Sequence, residues 1–147
     1  QIQALGHVVL KVRNLDRALR FYKDVLGLRM VAHKPIRATP MAFFSMTGNH
    51  HDLALTQVGE QASVPPPEAT GLALALKIGN SLEELRAARA HLQAHGVVID
   101  RTVDHRVSQS LYVRDPDGNT IELYVDADPD IWRNDQTAVA HSEPFVL

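Results

Sequence analysis

The residues best suited to chemistry in this chain of 147 amino acids are its histidines and one carboxylate on an apolar strand. Eight histidines is a raised count, and histidine is the commonest metal ligand and general base near neutral pH. Glu122 lies between Ile121 and Leu123, in a segment where a buried charge needs a partner, a cation or a proton. These residues suggest a metal site, acid–base chemistry, or both.

Composition and charge exclude several other kinds of protein. The chain is 45% hydrophobic and 22% charged, which is typical of a globular domain. Its net charge of −2 gives no basic surface for nucleic acid, and no apolar run approaches a membrane span. Cysteine is absent, which excludes disulfides, thiolate metal sites and a cysteine nucleophile. No signal-peptide pattern opens the sequence, so the cytoplasm is the expected compartment.

The first half of the chain combines strand and helix patterns. Apolar and β-branched runs predict strands over residues 5–12, 41–46 and 51–58. Asn14 can cap a helix that starts at Leu15, and Gly27 lies where that helix should end. Residues 59–70 contain three consecutive prolines and therefore predict a linker.

The same order of patterns then restarts. Strands are predicted over residues 71–78, 97–100, 110–114 and 120–125. Ser81 and Glu84 form a capping box for a helix that ends at Gly96. The composition of residues 115–119, DPDGN, predicts a turn. The tail from Asp126 onward is polar and irregular, and we expect it to lie on the surface.

The order of elements predicts an α+β fold made of two tandem βαβββ modules, an internal duplication. We expect one domain over residues 1–147, with approximate parts 4–58 (module one), 59–70 (linker), 71–125 (module two) and 126–147 (tail). Trp132 and the apolar residues 144–147 are the expected anchors of the tail.

The two halves can be aligned on each other. LKV (10–12) matches LKI (76–78) with an offset of 66, and LAL (53–55) matches IEL (121–123) with an offset of 68. Pseudo-twofold pairing of the modules would bring four equivalent positions around one cavity. These positions are occupied by His7, Ala73, Ala54 and Glu122.

The hairpin around residues 115–119 helps to predict the face of the sheet on which the side chain of Glu122 lies. If the turn closes symmetrically, Arg114 pairs with Thr120 and Tyr112 pairs with Glu122, and paired side chains point to the same face. From the hairpin alone, that face is as compatible with solvent as with a cavity. The duplication favours the inward placement, with the phenol of Tyr112 beside the carboxylate.

Several motifs together resemble a known family. They are LGHVVLKVRNLDRALRFYKDVLGL, HHDLAL, and DH-x-x-S-x-S-x-Y followed by DPDGNTIELY, and they span about residues 5–125. This combination resembles the vicinal oxygen chelate superfamily, and within it the one-domain extradiol dioxygenases that cleave catechols. The resemblance implies paired modules that curve around Fe(II), or Mn(II) in some members. It also implies an aromatic vicinal diol and O2 as substrates.

The resemblance also implies roles for individual residues. His7 and Glu122 match two of the family's three metal ligands, and His51 in the HH-x-x-A-L motif matches its acid–base histidine. His105 and Tyr112 match groups that donate hydrogen bonds to the diol or to oxygen. These roles suit the residue types, because a chelating diol must lose protons and a near-neutral imidazole can accept them.

One expected ligand is missing. The family's second metal histidine falls at Ala73, so the expected site has one imidazole and one carboxylate unless His51 or, as a remoter candidate, His141 in the tail substitutes. Glyoxalase-type relatives fill all four positions, and Ala54 and Ala73 therefore argue against glyoxalase chemistry. Two alternatives stay open: a metal-free protein that binds a small molecule or confers resistance, and a metal-dependent lyase or isomerase. A homodimer is a further alternative, because modules in such folds pair within one chain or between two.

Overall fold

Two βαβββ units make up the fold, as the internal duplication predicts. The computed structural model describes residues 2–66, 68–69 and 71–147, and the chain divides into the units Gln1–Pro67 and Glu68–Leu147. The predicted α+β class is confirmed, with one four-stranded and one five-stranded sheet. The predicted linker has no helix or strand in its described part, and its residues Pro67 and Thr70 lie outside the described residues.

The first unit is a sheet with the strand order β1-β4-β3-β2, in which β1 and β4 are parallel. Its elements are β1 (Val8–Val12), α1 (Leu15–Leu19), a π-helical segment (Arg20–Val25), β2 (Met30–His33), β3 (Met41–Phe44) and β4 (Leu53–Gln57). The strand predicted from residue 5 begins only at Val8, so His7 precedes the strand. The reason is that β4 starts at Leu53, the partner of Val8, and offers no strand beside residues 5–7.

The first helix starts as the sequence predicts. The side-chain oxygen of Asn14 accepts a hydrogen bond from the N–H of Arg17 at 2.9 Å, which satisfies one exposed donor of the first turn. The helix then continues with wider π-helical bonds, including the N–H of Leu26 to the carbonyl of Phe21. Gly27 ends it with a φ of 72°, a conformation that glycine adopts without the penalty of a side chain.

The second unit is a sheet with the strand order β5-β8-β7-β6-β9, in which β5 and β8 are parallel. Its elements are β5 (Ala73–Gly79), α2 (Leu82–Ala94), β6 (Arg101–Asp104), β7 (Ser108–Arg114), β8 (Thr120–Asp126), α3 (Asp130–Asn134), a 3₁₀ helix (Gln136–Ala140) and β9 (Glu143–Pro144). No helix in the described part of the chain is long and apolar enough to cross a membrane.

The strand predicted over residues 97–100 is wrong, and the strand β6 begins at Arg101. Gly96 ends α2 with a φ of 73°, and the N–H of Val97 bonds back to the carbonyl of Leu92 at 2.9 Å. Residue 97 is therefore used to close the helix. Val98 is 75% exposed, so strand propensity alone did not bring this segment into the sheet.

The tail is more ordered than the sequence suggests. It contains α3, the 3₁₀ helix and β9, and β9 pairs antiparallel with β6. Trp132, an expected anchor, is 45% exposed. Ala138, which the sequence did not single out, is instead buried to 2% exposure. The tail is therefore anchored through a small buried side chain and not through the indole.

A buried carboxylate fixes the turn between β7 and β8. Asp115 is 4% exposed and accepts hydrogen bonds from the N–H groups of Asp117 and Asn119 at 2.9 and 2.8 Å, and from the side-chain amide of Asn119 at 2.8 Å. These bonds hold the five-residue turn symmetrically. The predicted register is confirmed, with Arg114 opposite Thr120 and Tyr112 opposite Glu122.

In the first unit, a carboxylate also fixes a loop between two strands. The carboxylate of Asp52 accepts hydrogen bonds from the N–H groups of Met46 and Thr47 at 2.6 and 3.0 Å, and from the hydroxyl of Thr47 at 2.7 Å. These bonds, the Met46 N–H first, hold the pKa of Asp52 well below its ordinary range. The loop that carries His50 and His51 is therefore tied to the start of β4.

Candidate active site

The hairpin of β7 and β8 gathers polar side chains on one face of its sheet. Tyr112 is paired with Glu122, and Ser110 is paired with Tyr124 two residues away on the same face. The opposite face of the two strands is apolar and buried, and α2 packs against this hairpin. The residues of this apolar face are Leu111, Val113, Ile121 and Leu123. Glu122 therefore interrupts the apolar sequence without entering the core.

Glu122 is a partly buried and hydrogen-bonded carboxylate. Its side chain is 19% exposed, so it is not a fully solvated surface charge. The hydroxyl of Ser110, itself fully buried, donates to Glu122 Oε1 at 2.5 Å. A hydrogen bond to a charged acceptor offsets part of the cost of removing that charge from water.

His105 and Tyr112 lie beside this carboxylate. His105 Nε2 is 2.9 Å from the phenol oxygen of Tyr112 and 3.9 Å from Glu122 Oε1. Burial, with the charge of Glu122 as the next cause, raises the pKa of Tyr112 to about 12. Tyr112 is therefore a neutral hydrogen-bond donor at physiological pH. We refer to Ser110, Tyr112, Glu122 and His105 as the hairpin cluster.

The sequence did not identify two residues that contact Tyr112 or Glu122. Ser110 lies within the quoted S-x-S-x-Y motif, and the predicted hairpin register alone would have placed it on the face of Glu122. Arg101 has its guanidinium 4.1 Å from the centre of the Tyr112 ring, a favourable cation–π geometry. Arg101 could not be found because the sequence placed the strand at residues 97–100.

The pKa of Tyr112 gives a direct test of this arrangement. Glu122→Gln should lower that pKa from about 12 toward the ordinary value of about 10 without reaching it, because burial persists. Since a raised pKa favours the neutral phenol, the contribution of Tyr112 to stability is complete below pH 10 and is lost as the pH rises toward 12. Tyrosinate absorbance during alkaline titration measures the shift. Tyr112→Phe identifies the signal, and an unchanged titration in Glu122→Gln would show that burial alone sets the pKa.

Three histidines lie together in the first unit. The ring centres of His7 and His51 are 4.3 Å apart, and those of His50 and His51 are 4.6 Å apart. The Nδ1 atoms of His50 and His51 are 2.7 Å apart, a hydrogen bond that engages one nitrogen of each ring. Phe43 packs edge-on to the His51 ring at 5.3 Å. The predicted ligand His7 and the predicted acid–base residue His51 are thus direct neighbours.

The environment of His51 favours its neutral form. Burial lowers the pKa of His51, and the nearby imidazoles of His7 and His50 lower it further, while Asp52 opposes them. A neutral imidazole has a nitrogen lone pair and can accept a proton. The local chemistry is therefore compatible with the predicted role of His51 as a base.

The strand pairing of the two units agrees with the two sequence offsets. In the first unit Val9 is opposite Ala54, and in the second Ala75 is opposite Glu122. These pairs are related by the offsets of 66 and 68. Ala73 accordingly stands two residues before Ala75, as His7 stands two residues before Val9. The equivalence of His7 with Ala73 thus follows from pairing as well as from sequence.

The donor types suit a divalent metal, but their number is small. Imidazole and carboxylate groups are ligands that Fe(II) and Mn(II) accept. Among the described residues, no group of three or more His, Asp or Glu side chains is placed to hold one metal ion.

Comparison with known proteins identifies the family. A model described as the Glyoxalase/Bleomycin resistance protein/Dioxygenase superfamily matches residues 4–123. The chain belongs to this superfamily. The matched range contains all five residues that the sequence predicted for the site, namely His7, His51, His105, Tyr112 and Glu122.

Two relatives in this superfamily are named as dioxygenases. Catechol-2,3-dioxygenase of Bacillus subtilis is 33% identical over 132 residues, which cover 90% of this chain and 45% of the relative. Biphenyl-2,3-diol 1,2-dioxygenase 3 of Rhodococcus globerulus is 33% identical over 145 residues, which cover 97% of this chain and 72% of the relative. The chain thus spans less than half the length of the first of these relatives.

A solved structure confirms the fold of the superfamily. The fosfomycin resistance protein FosX from Listeria monocytogenes, in a complex with Mn(II) and sulfate, matches with a TM-score of 0.64 and 20% identity. The match covers 85% of this chain and 93% of the FosX chain. At this level of identity the likeness concerns the fold alone.

Proposed function

We propose that the chain is an extradiol-type dioxygenase that opens the ring of a catechol or similar aromatic vicinal diol with O2 and a divalent metal. The observation that carries the proposal is the hairpin cluster, in which the imidazole of His105 is 2.9 Å from the phenol of Tyr112 and 3.9 Å from the carboxylate of Glu122. Such a group can bind a cation and orient a diol. The named dioxygenase relatives support the same choice of reaction.

In this proposal His7 and Glu122 supply an imidazole and a carboxylate to the metal, with Fe(II) as the first candidate and Mn(II) as the second. The metal, when bound, would supply a redox-active centre for the diol and O2. Ser110 orients the Glu122 carboxylate through its hydrogen bond to Oε1. A hydrogen-bonded carboxylate is a better oriented ligand than a mobile one.

The other residues handle protons and developing charge. His51, whose pKa is lowered, accepts a proton from a hydroxyl of the diol. Its Nδ1 is engaged with His50, so the accepting atom is Nε2. Tyr112 stays neutral because its pKa is raised, and its O–H, which has His105 Nε2 as its partner in the free protein, can turn to donate a hydrogen bond to the negative charge that develops on oxygen. Positioned donors of this kind stabilise such charge.

Reconstitution tests the proposed function. Purified protein is loaded anaerobically with Fe(II), its metal content is measured, and it is then mixed with O2 and a panel of catechols that includes a biphenyl diol. We expect a ring-fission chromophore, consumption of O2, and transfer of both atoms of ¹⁸O2 into the product. Metal-free protein is the control. Protein that carries Fe(II) and turns over none of the diols would refute the proposal.

Ala73→His should create the missing third ligand. We expect the affinity for Fe(II) and Mn(II) to rise at least about tenfold over that of the parent, because a third donor makes a complete facial set. Calorimetric titration under argon measures this change. Ala87→His, on the exposed surface of α2, is the matched control for an added imidazole. Equal affinities in the parent and in Ala73→His would show that position 73 is not equivalent to position 7, or that Glu122 is not a ligand.

A metal-free binding protein is the second candidate. It is favoured by the lack of any group of three metal-ligating side chains among the described residues, and by alanine at positions 54 and 73. An apolar lining suits a small hydrophobic ligand better than a metal. Tight binding of an aromatic ligand that a chelator does not change, in protein that contains no metal as purified, would select this candidate.

A further inference from the structure

The C-terminal tail makes a main-chain contact with the hairpin cluster. His105 Nδ1 is 2.9 Å from the carbonyl oxygen of His141, and Nε2 of the same ring is 2.9 Å from the phenol oxygen of Tyr112. A carbonyl oxygen can only accept a hydrogen bond, so Nδ1 must carry a proton. In the neutral ring Nε2 then has the lone pair and accepts a hydrogen bond from the phenol.

We propose that the carbonyl of His141 is a positioning group that holds His105 as its Nδ1–H tautomer, with Nε2 directed at Tyr112. The hydrogen bond made by one ring nitrogen determines which nitrogen is protonated. The tail thereby decides whether the cluster contains an acceptor or a donor at Nε2. The tautomer itself does not depend on the proposed function, whereas its effect on turnover rests on it.

The tail is held on both sides of His141. Before it, Ala138 is buried to 2% exposure, and the N–H of His141 donates to the carbonyl of Ala138 at 3.2 Å. After it, β9 pairs with β6, and Asp104, the residue before His105, is opposite Glu143. The hydroxyl of Thr102 also donates to the carbonyl of Phe145 at 2.5 Å. Because the tail is fixed at two points, the carbonyl between them has a defined position.

The tautomer matters because Tyr112 has a single proton to donate. With the lone pair on Nε2, the phenol has His105 as an acceptor and Glu122 as a neighbouring charge. With a proton on Nε2, the ring would instead donate to the phenol oxygen, and the phenol would be directed at Glu122. The same three side chains would then present a different pattern of donors and acceptors to a diol.

Nitrogen NMR of the imidazole tests the proposal without any enzyme assay. Long-range ¹H–¹⁵N spectra of the 147-residue chain, recorded up to pH 9, distinguish Nδ1–H from Nε2–H in the neutral ring. We expect the Nδ1–H form to dominate at His105. Ala138→Glu, which forces a charge into the buried anchor, should release the tail and shift the ring toward Nε2–H.

Two further variants isolate the carbonyl. Replacing Ser142 by its α-hydroxy analogue turns the linkage from His141 into an ester, whose carbonyl is a weaker acceptor, and should lower the Nδ1–H to Nε2–H ratio about fivefold. His141→Ala keeps the carbonyl and should leave the ratio unchanged. An ester variant with an unaltered ratio would overturn the proposal. A ratio that is inverted in His141→Ala would overturn it as well, because the effect would then belong to the side chain of His141.

Turnover gives the catalytic part of the test. In a chain that cleaves diols, the ester and Ala138→Glu should lower kcat about tenfold or more, with KM changed by less than about twofold, as outer hydrogen-bond partners typically do. His141→Ala should keep both constants. A shifted tautomer with unchanged kcat would refute the positioning role while leaving the proposed function intact. If the unmodified chain has no activity, the proposed function fails and the tautomer result stands by itself.

Discussion

Glu122→Gln is expected to lower kcat/KM for a ring diol about 10³-fold, because a metal centre contributes several kcal/mol and each 1.36 kcal/mol is tenfold in rate. Glutamine keeps the shape of the side chain and can still accept the hydrogen bond from Ser110. It removes only the charge. The loss should therefore appear in metal affinity and in turnover, while the fold persists.

Glu83→Gln is the matched control for this prediction. Glu83 lies in the first turn of α2 and is exposed, so its loss changes the net charge equally without touching the hairpin cluster. Turnover and metal content should match the parent within about twofold, because isolated surface charges contribute little. Full activity in Glu122→Gln, with the circular dichroism of the parent, would remove Glu122 from the ligand set and favour the metal-free candidate.

The second large effect is expected at the turn of the same hairpin. Asp115→Ala should lower the free energy of unfolding by about 3 kcal/mol, because hydrogen bonds to a charged group contribute about 1.5–3 kcal/mol. The N–H groups of Asp117 and Asn119, which would lose their acceptor, make a buried and a partly buried hydrogen bond. At least three such bonds end at this buried carboxylate. Urea unfolding, followed by fluorescence and circular dichroism, measures the change.

The turn also determines which side chains reach the site. A shift of one residue in the pairing would move Glu122 and Tyr112 to the opposite face of the sheet, so Asp115→Ala should reduce activity beyond its effect on stability. Asp128→Ala is the control, since Asp128 is exposed and accepts one local bond from Asp130 at 2.9 Å. It should change stability by less than about 0.5 kcal/mol. Equal losses in both variants would contradict the special role of Asp115.

Sequence patterns predicted those parts of the fold that depend on local chemistry. The turn residues 115–119 predicted the register of the hairpin, and with it the pairing of Tyr112 and Glu122, because a symmetric turn leaves one way to align the strands. The capping box also predicted the start of α2, where Ser81 accepts from the N–H of Glu84 at 3.3 Å. In both cases a few neighbouring residues determine the geometry.

Other features depend on contacts that cannot be recognised from the types of the residues involved. Residues 97–100 have strand propensity, but the N–H of Val97 closes the end of α2, and the start of β6 is determined by its pairing with β7. The contact of His105 at position 141 is made with a main-chain carbonyl, a group that every residue type carries. The grouping of His7 with His51 was predicted only through family resemblance, because no local pattern joins them.

The two-residue strand β9 has a consequence for solubility. It occupies the outer edge of its sheet, beside β6, where an unpaired strand would offer a row of main-chain donors and acceptors to another molecule. Glu143 brings an exposed charge to that edge, and Pro144 has no N–H to donate. A strand from another molecule would therefore meet a short edge that carries a charge and has few main-chain N–H donors. The C-terminal tail, which contacts His105, is thus also expected to hinder aggregation through this edge of the sheet.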